Sequence, residues 1–185
     1  MAAAPTVRQA PPPAAAPNCR STDLVATAEP SGPSGDQFGD YSTEIVLRNG
    51  SNSTCSLQGW AGLAVFGDGV PVACNPVCGQ GQDKTEPRSV TVTRAPGLTP
   101  EPVVLAPGNE TTYGLLWSNE LGPECKPGDR GWKPPYGARI WVPDDSRPLT
   151  IAPLPDQLWA CGGRIQLTPI GQPLLPSGGA AGGVG

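Results

Sequence analysis

Apolar and polar residues alternate along much of this chain with the period of two that marks half-buried strands. In residues 41–48, Tyr41, Thr43, Ile45 and Leu47 fall on one side, while Ser42, Glu44 and Arg48 fall on the other. The run Asn49-Gly50-Ser51-Asn52-Ser53 that follows is rich in turn formers, and Thr54-Cys55-Ser56-Leu57 then sets Cys55 and Leu57 on a common face. The pattern predicts a hairpin whose second limb returns along the first and aims a cysteine at the core.

The same period predicts further short strands. Residues 23–28 carry Leu24 and Val25 and end in a loop of Pro, Ser and Gly at 30–35. Residues 63–66 and 70–73 flank Gly67-Asp68-Gly69, where Asp-Gly supplies the positive φ of a tight hairpin. Residues 89–94, 102–105, 138–142, 149–151 and 164–168 continue the series, and 111–118 set Tyr113, Leu115 and Trp117 opposite Leu116. Short strands at near-regular spacing predict an all-β chain, a single antiparallel β-sandwich stabilised by disulfides.

Composition removes the alternatives. With 25 Gly and 25 Pro in 185 residues, the longest stretch free of both is the twelve residues 18–29, so long helices are excluded. Residues 1–17 are almost wholly Ala, Pro and small polar residues and are expected to form a disordered tether. Residues 171–185 are expected to be a disordered Gly-rich tail, which leaves 18–170 as the folded domain. The long connection 119–136, holding Cys125, Trp132 and two prolines, needs an anchor.

The formal net charge is −4, and Lys and Arg are scattered singly, which argues against a nucleic-acid partner. No apolar run approaches the roughly 20 residues of a membrane span, so no transmembrane segment is expected in this chain. Six cysteines stand in a chain without a histidine. Zinc sites favour histidine or tight Cys-x-x-Cys pairs, so the cysteines are read as disulfide partners, and disulfides imply a compartment outside the cytoplasm. No signal-peptide core is present, and the chain is accordingly expected to be a mature or truncated form.

An opening Cys19, then Asn49-x-Ser51, Cys55-x-Leu57-x-Gly59-Trp60, Leu105-x-Pro107-Gly108, Leu116-Trp117, Cys125 and Cys161 form a pattern that resembles the DUF4232 domain over roughly 18–170. That family comprises actinobacterial secreted and cell-envelope proteins of uncharacterised function. The resemblance implies an immunoglobulin-like sandwich and an extracellular setting, and it implies no reaction. Gly59-Trp60-Ala61-Gly62 stands where many members have Gly-Tyr-Pro-Gly, and Cys74 with Cys78 adds to the usual four cysteines.

Candidate chemistry is sparse. Without histidine, a Ser-His-Asp triad, a Cys-His dyad and a histidine metal site are impossible within this chain. Asp144-Asp145 and Glu120 with Glu124 read as solvated loop charges, and neither Asp68 nor Asp144 opens a calcium loop. No catalytic residue, cofactor or metal is expected. Cys74 and Cys78, with three residues between them on a Pro-containing loop, lack redox spacing and are expected to pair with each other. Cys19 is expected to pair with Cys55, and Cys125 with Cys161, each bridge tying a poorly ordered segment to a patterned strand.

Five tryptophans remain. Trp60 and Trp117 lie on patterned strands and are assigned to the core, whereas Trp132, Tyr136 and Trp141 are candidates for an exposed ligand patch. The expected role is a non-catalytic binding or scaffold module, monomeric, whose partner is an envelope protein or glycan. A carbohydrate-binding module using the exposed Trp and Tyr is the alternative, and an enzyme without histidine a remote one.

Overall fold

The computed structural model describes residues 16–30, 32–33, 41–67, 87–88, 90–117, 135–154, 158 and 164–174. A single 3-10 turn at Ser21–Asp23 precedes strands β1 (Leu24–Ala28), β2 (Gly32–Pro33), β3 (Tyr41–Asn49), β4 (Cys55–Leu57), β5 (Gly62–Phe66) and β6 (Pro87–Arg88). There follow β7 (Thr91–Arg94), β8 (Val103–Leu105), β9 (Glu110–Trp117), β10 (Gly137–Trp141), β11 (Leu149–Ile151) and β12 (Arg164–Leu167). The chain is all-β. Among the described residues no helix is long and apolar enough to cross a membrane.

One six-stranded sheet runs β1-β3-β9-β12-β7, with β2 added at the edge of β3. A four-stranded sheet runs β11-β10-β5-β6, and β4 with β8 forms a two-stranded third. All pairs within these sheets are antiparallel except β7 with β12, which is parallel. The wholly antiparallel arrangement expected from strand spacing is corrected at that edge. The long connection from β7 to β12 passes through other strands before returning, which is what a parallel pair requires.

The predicted hairpin between β3 and β4 does not form. Both edges of β3 are already paired, to β1 from Leu24↔Asn49 to Ala28↔Ile45 and to β9 from Tyr41↔Trp117 to Arg48↔Glu110. The turn therefore leads out of the sheet, and β4 pairs with β8 instead. Asn49, fully buried, fixes that change of direction. Its Nδ2 donates to the carbonyls of Ser53 (2.8 Å) and Leu105 (2.9 Å), and its Oδ1 accepts from the Ser51 N–H (2.9 Å). One buried amide thus satisfies the turn and ties it to β8. The second predicted hairpin depends on residues 70–73, which lie outside the described residues.

The inward faces of the sheets share one apolar cluster. Ile45 and Leu47 of β3, Tyr113, Leu115 and Trp117 of β9, and Ile165 and Leu167 of β12 supply the larger sheet's part, with the polar Thr43 buried on the same face of β3. Val65, Ala138, Ile140 and Ile151 supply the smaller sheet's. Alternation explains these positions, because every second residue of a strand points the same way.

Near the chain start, Cys19 and Cys55 form a disulfide, both buried, with Cα atoms 4.9 Å apart. The Cys19 N–H donates to the Ser56 carbonyl and the Ser56 N–H to that of Pro17, so the leading segment lies along the free edge of β4. The expected Cys19–Cys55 pair is present, whereas Cys74, Cys78, Cys125 and Cys161 lie outside the described residues.

Candidate binding face

The outward face of the smaller sheet is set by the register of β5 against β10. Gly62 lies opposite Trp141, Ala64 opposite Arg139, and Phe66 opposite Gly137. Each strand therefore carries an aromatic residue at one end and a glycine at the other, and antiparallel pairing sets each ring beside the partner's glycine. A methyl group built on Gly62 would stand 3.3 Å from Trp141 Cβ and 3.6 Å from the edge of its six-membered ring. One built on Gly137 would stand 2.5 Å from the tip of the Phe66 ring. Two glycines thus make room for two rings lying across the sheet, the close approach that an in-strand glycine permits.

Trp141 is half-buried and held at both edges. One edge meets Gly62, and on the other the indole N–H donates to the Ser146 carbonyl at 3.2 Å. With its only polar group engaged, the part of the indole that solvent reaches is hydrocarbon ring. Phe66 is half-buried too and supports Arg139, whose guanidinium carbon lies 5.3 Å from the ring centroid, within cation–π range. Tyr136 meets the Phe66 ring edge-on at 6.5 Å. Two of the three predicted patch residues, Tyr136 and Trp141, therefore belong to one strand region, and Trp132 lies outside the described residues.

Phe66, expected only as the end of a strand, and Arg139 were not among the predicted patch residues. The signal that could have found them is the mirrored pattern of Gly62, Ala64 and Phe66 against Gly137, Arg139 and Trp141, which becomes meaningful only once the two strands are paired. Of the tryptophans assigned to the core, Trp117 is buried and stacks on Tyr41 at 6.4 Å. Trp60 is only half-buried, with the Arg94 guanidinium 5.4 Å from its ring.

The loop after Trp141 also grips the chain start. Asp144, at a left-handed φ of 63°, accepts from Asn18 Nδ2 at 3.0 Å, and Asp145 accepts from the Ser21 N–H at 2.7 Å. The backbone N–H groups of Arg147 and Ser21 hold the Asp145 carboxyl down at about 2, below the ordinary carboxylate range. These carboxylates are structural acceptors at a loop. Burial pushes the Tyr113 phenol far up, and its hydroxyl has no hydrogen-bond partner among the described residues. Among the same residues no three His, Cys, Asp or Glu side chains gather as a metal site.

The model of a protein family described as a domain of unknown function (DUF4232) matches residues 19–171. No curated protein and no solved structure matches the chain.

Proposed function

The chain belongs to the DUF4232 family, and we propose that it is a non-catalytic binding module working outside the cytoplasm at the cell envelope. In this reading the sheets face one another as an immunoglobulin-like sandwich, and the outward side of β5 and β10 meets the partner. The observation that carries it is the reciprocal placement of Trp141 beside Gly62 and of Phe66 beside Gly137, which keeps two large rings half-exposed on one sheet face. Half-exposed aromatics, rigid and large, are the side chains that binding surfaces favour.

The setting outside the cytoplasm is supported by the buried Cys19–Cys55 disulfide, since such bridges persist in oxidising compartments. The lack of histidine removes the commonest bases and nucleophile partners and supports a role without turnover.

Co-sedimentation of the purified chain with insoluble actinobacterial envelope material tests the proposal. The wild-type chain is expected to sediment with the envelope, and Trp141→Ala to lower the bound fraction at least tenfold. Equal retention of the two proteins, or release of soluble products from the envelope by the wild type, would contradict it.

A further inference from the structure

We infer that the outward face of β5 and β10 takes a carboxylate-bearing glycan, one sugar ring stacked on Trp141 and its acid group held by Arg139. The inference rests on the reading that this face binds a partner, and it adds the chemistry of that partner.

The first argument is what Trp141 offers. Its N–H is already donated to Ser146 and its opposite edge lies on Gly62, so a ligand meets ring surface and gains by stacking. The C–H face of a pyranose suits such a surface. The second argument is charge. The chain carries a formal net charge of −4, yet this face presents the guanidinium of exposed Arg139. The described side chains that share the face with it, Ala64, Phe66 and Thr150 among them, include no carboxylate. A cation with no acid beside it among the described residues, on an acidic protein, favours an anionic partner.

The third argument is geometry. Arg139 and Trp141 are two residues apart on one strand and point the same way, so their Cα atoms are about 7 Å apart. That separation suits one ring and the acid it bears. Arg139 is propped by Phe66, its guanidinium carbon 5.3 Å from the ring centroid, and a guanidinium so placed offers a fork of N–H donors that matches a carboxylate. The rival partner for an exposed aromatic is a proline-rich peptide, which would stack on Trp141 without needing the cation.

Calorimetric titration of the full chain separates these cases. The probes are trigalacturonate, a disaccharide containing N-acetylmuramic acid, the carboxyl-reduced form of each, and a proline-rich decapeptide. At least one acidic sugar is expected to bind tenfold or more tightly than its reduced form. Arg139→Gln is expected to abolish that preference by lowering affinity for the acidic form toward that for the reduced form, and Arg139→Lys to restore part of it. Trp141→Ala is expected to weaken both forms at least tenfold. Arg139 is exposed, so its variants test the idea even where Trp141→Ala disturbs the sheet. Equal affinity for acidic and reduced forms, an Arg139→Gln protein that keeps the preference, or Trp141-dependent binding of the decapeptide instead of the sugars would overturn the inference. If envelope retention depends on Trp141 while no sugar binds, the ligand class fails and the binding face stands. If envelope retention is independent of Trp141, both fail.

Discussion

The two large sheets each carry glycine on an outward face, and the space is filled in opposite ways. On the larger sheet, Gly114 of β9 lies beneath the side chain of Leu174. After β12 the buried Thr168 accepts from the Gly114 N–H at 2.7 Å and donates to the Gln172 carbonyl, which turns the chain back. Leu174 N–H then donates to the Glu44 carboxylate on β3, so the returning segment covers the outward face. On the smaller sheet, Gly62 and Gly137 are filled by rings from the paired strands themselves. A filler from elsewhere in the chain closes a face, whereas a filler from within the sheet leaves it open. The face of β5 and β10 proposed to meet a partner is of the second kind among the described residues.

The largest effect is expected from a fastening that belongs to neither face. Cys19→Ser opens a bridge of sequence separation 36, and loop entropy sets the loss at about 4 kcal/mol. Chemical denaturation monitored by tryptophan fluorescence measures it. A loss below about 1 kcal/mol would show that the hydrogen bonds between the leading segment and β4 suffice without the bridge.

The comparison itself is sharpened by two alanines. Gly137→Ala drives a methyl into the Phe66 ring and to within 2.8 Å of the Ile151 carbonyl oxygen, a backbone atom that cannot swing aside. Overpacking there is expected to cost about 2–3 kcal/mol. Gly114→Ala first meets the Leu174 side chain and Thr168 Cγ2 at 3.3 Å, and the returning segment can lift away. Its cost is expected to be smaller, about 1 kcal/mol, with faster amide exchange at Leu174 as the accompanying sign. The reverse order of the two costs would contradict the account of how each face is filled.

How far the sequence reached follows from the same contrast. β3 was legible because one of its faces is buried from Thr43 onward, so burial repeats its alternation at Thr43, Ile45 and Leu47. Its pairing was not, because Asn49-Gly50 looks like a hairpin turn whichever strand follows, and the choice depends on Leu105, 56 residues away, accepting from Asn49. The Cys19–Cys55 bridge was legible from position alone, Cys19 preceding the first strand and Cys55 pointing inward. Trp141 stood out as hard to bury. Arg139 and Phe66 did not, since each gains meaning only from the residue across the ladder.

Smaller effects are expected where a polar group serves neither face. The Tyr113 hydroxyl is buried without a partner among the described residues, so Tyr113→Phe removes an unsatisfied group at almost constant volume. Stability is expected to stay within about 1 kcal/mol of the wild type or to rise. A loss above about 2 kcal/mol would reveal a hydrogen bond to that hydroxyl in solution. Asp145 gives the smallest effect and one visible only in acid. Its carboxyl titrates lower in the folded chain, so its contribution is complete above the ordinary carboxylate range and is lost as pH falls toward about 2. Unfolding curves of the wild type and Asp145→Asn are expected to converge over that window, and a constant gap down to pH 2 would contradict the assignment.

The open face is tested most directly by residue-resolved NMR of the isotope-labelled chain titrated with the tightest-binding acidic sugar. The account predicts shifts concentrated at Gly62, Ala64, Phe66, Arg139 and the Trp141 ring, with Glu44, Gly114 and Leu174 unmoved. Shifts centred on β3, β9 and the returning segment, with the Trp141 ring unchanged, would contradict it.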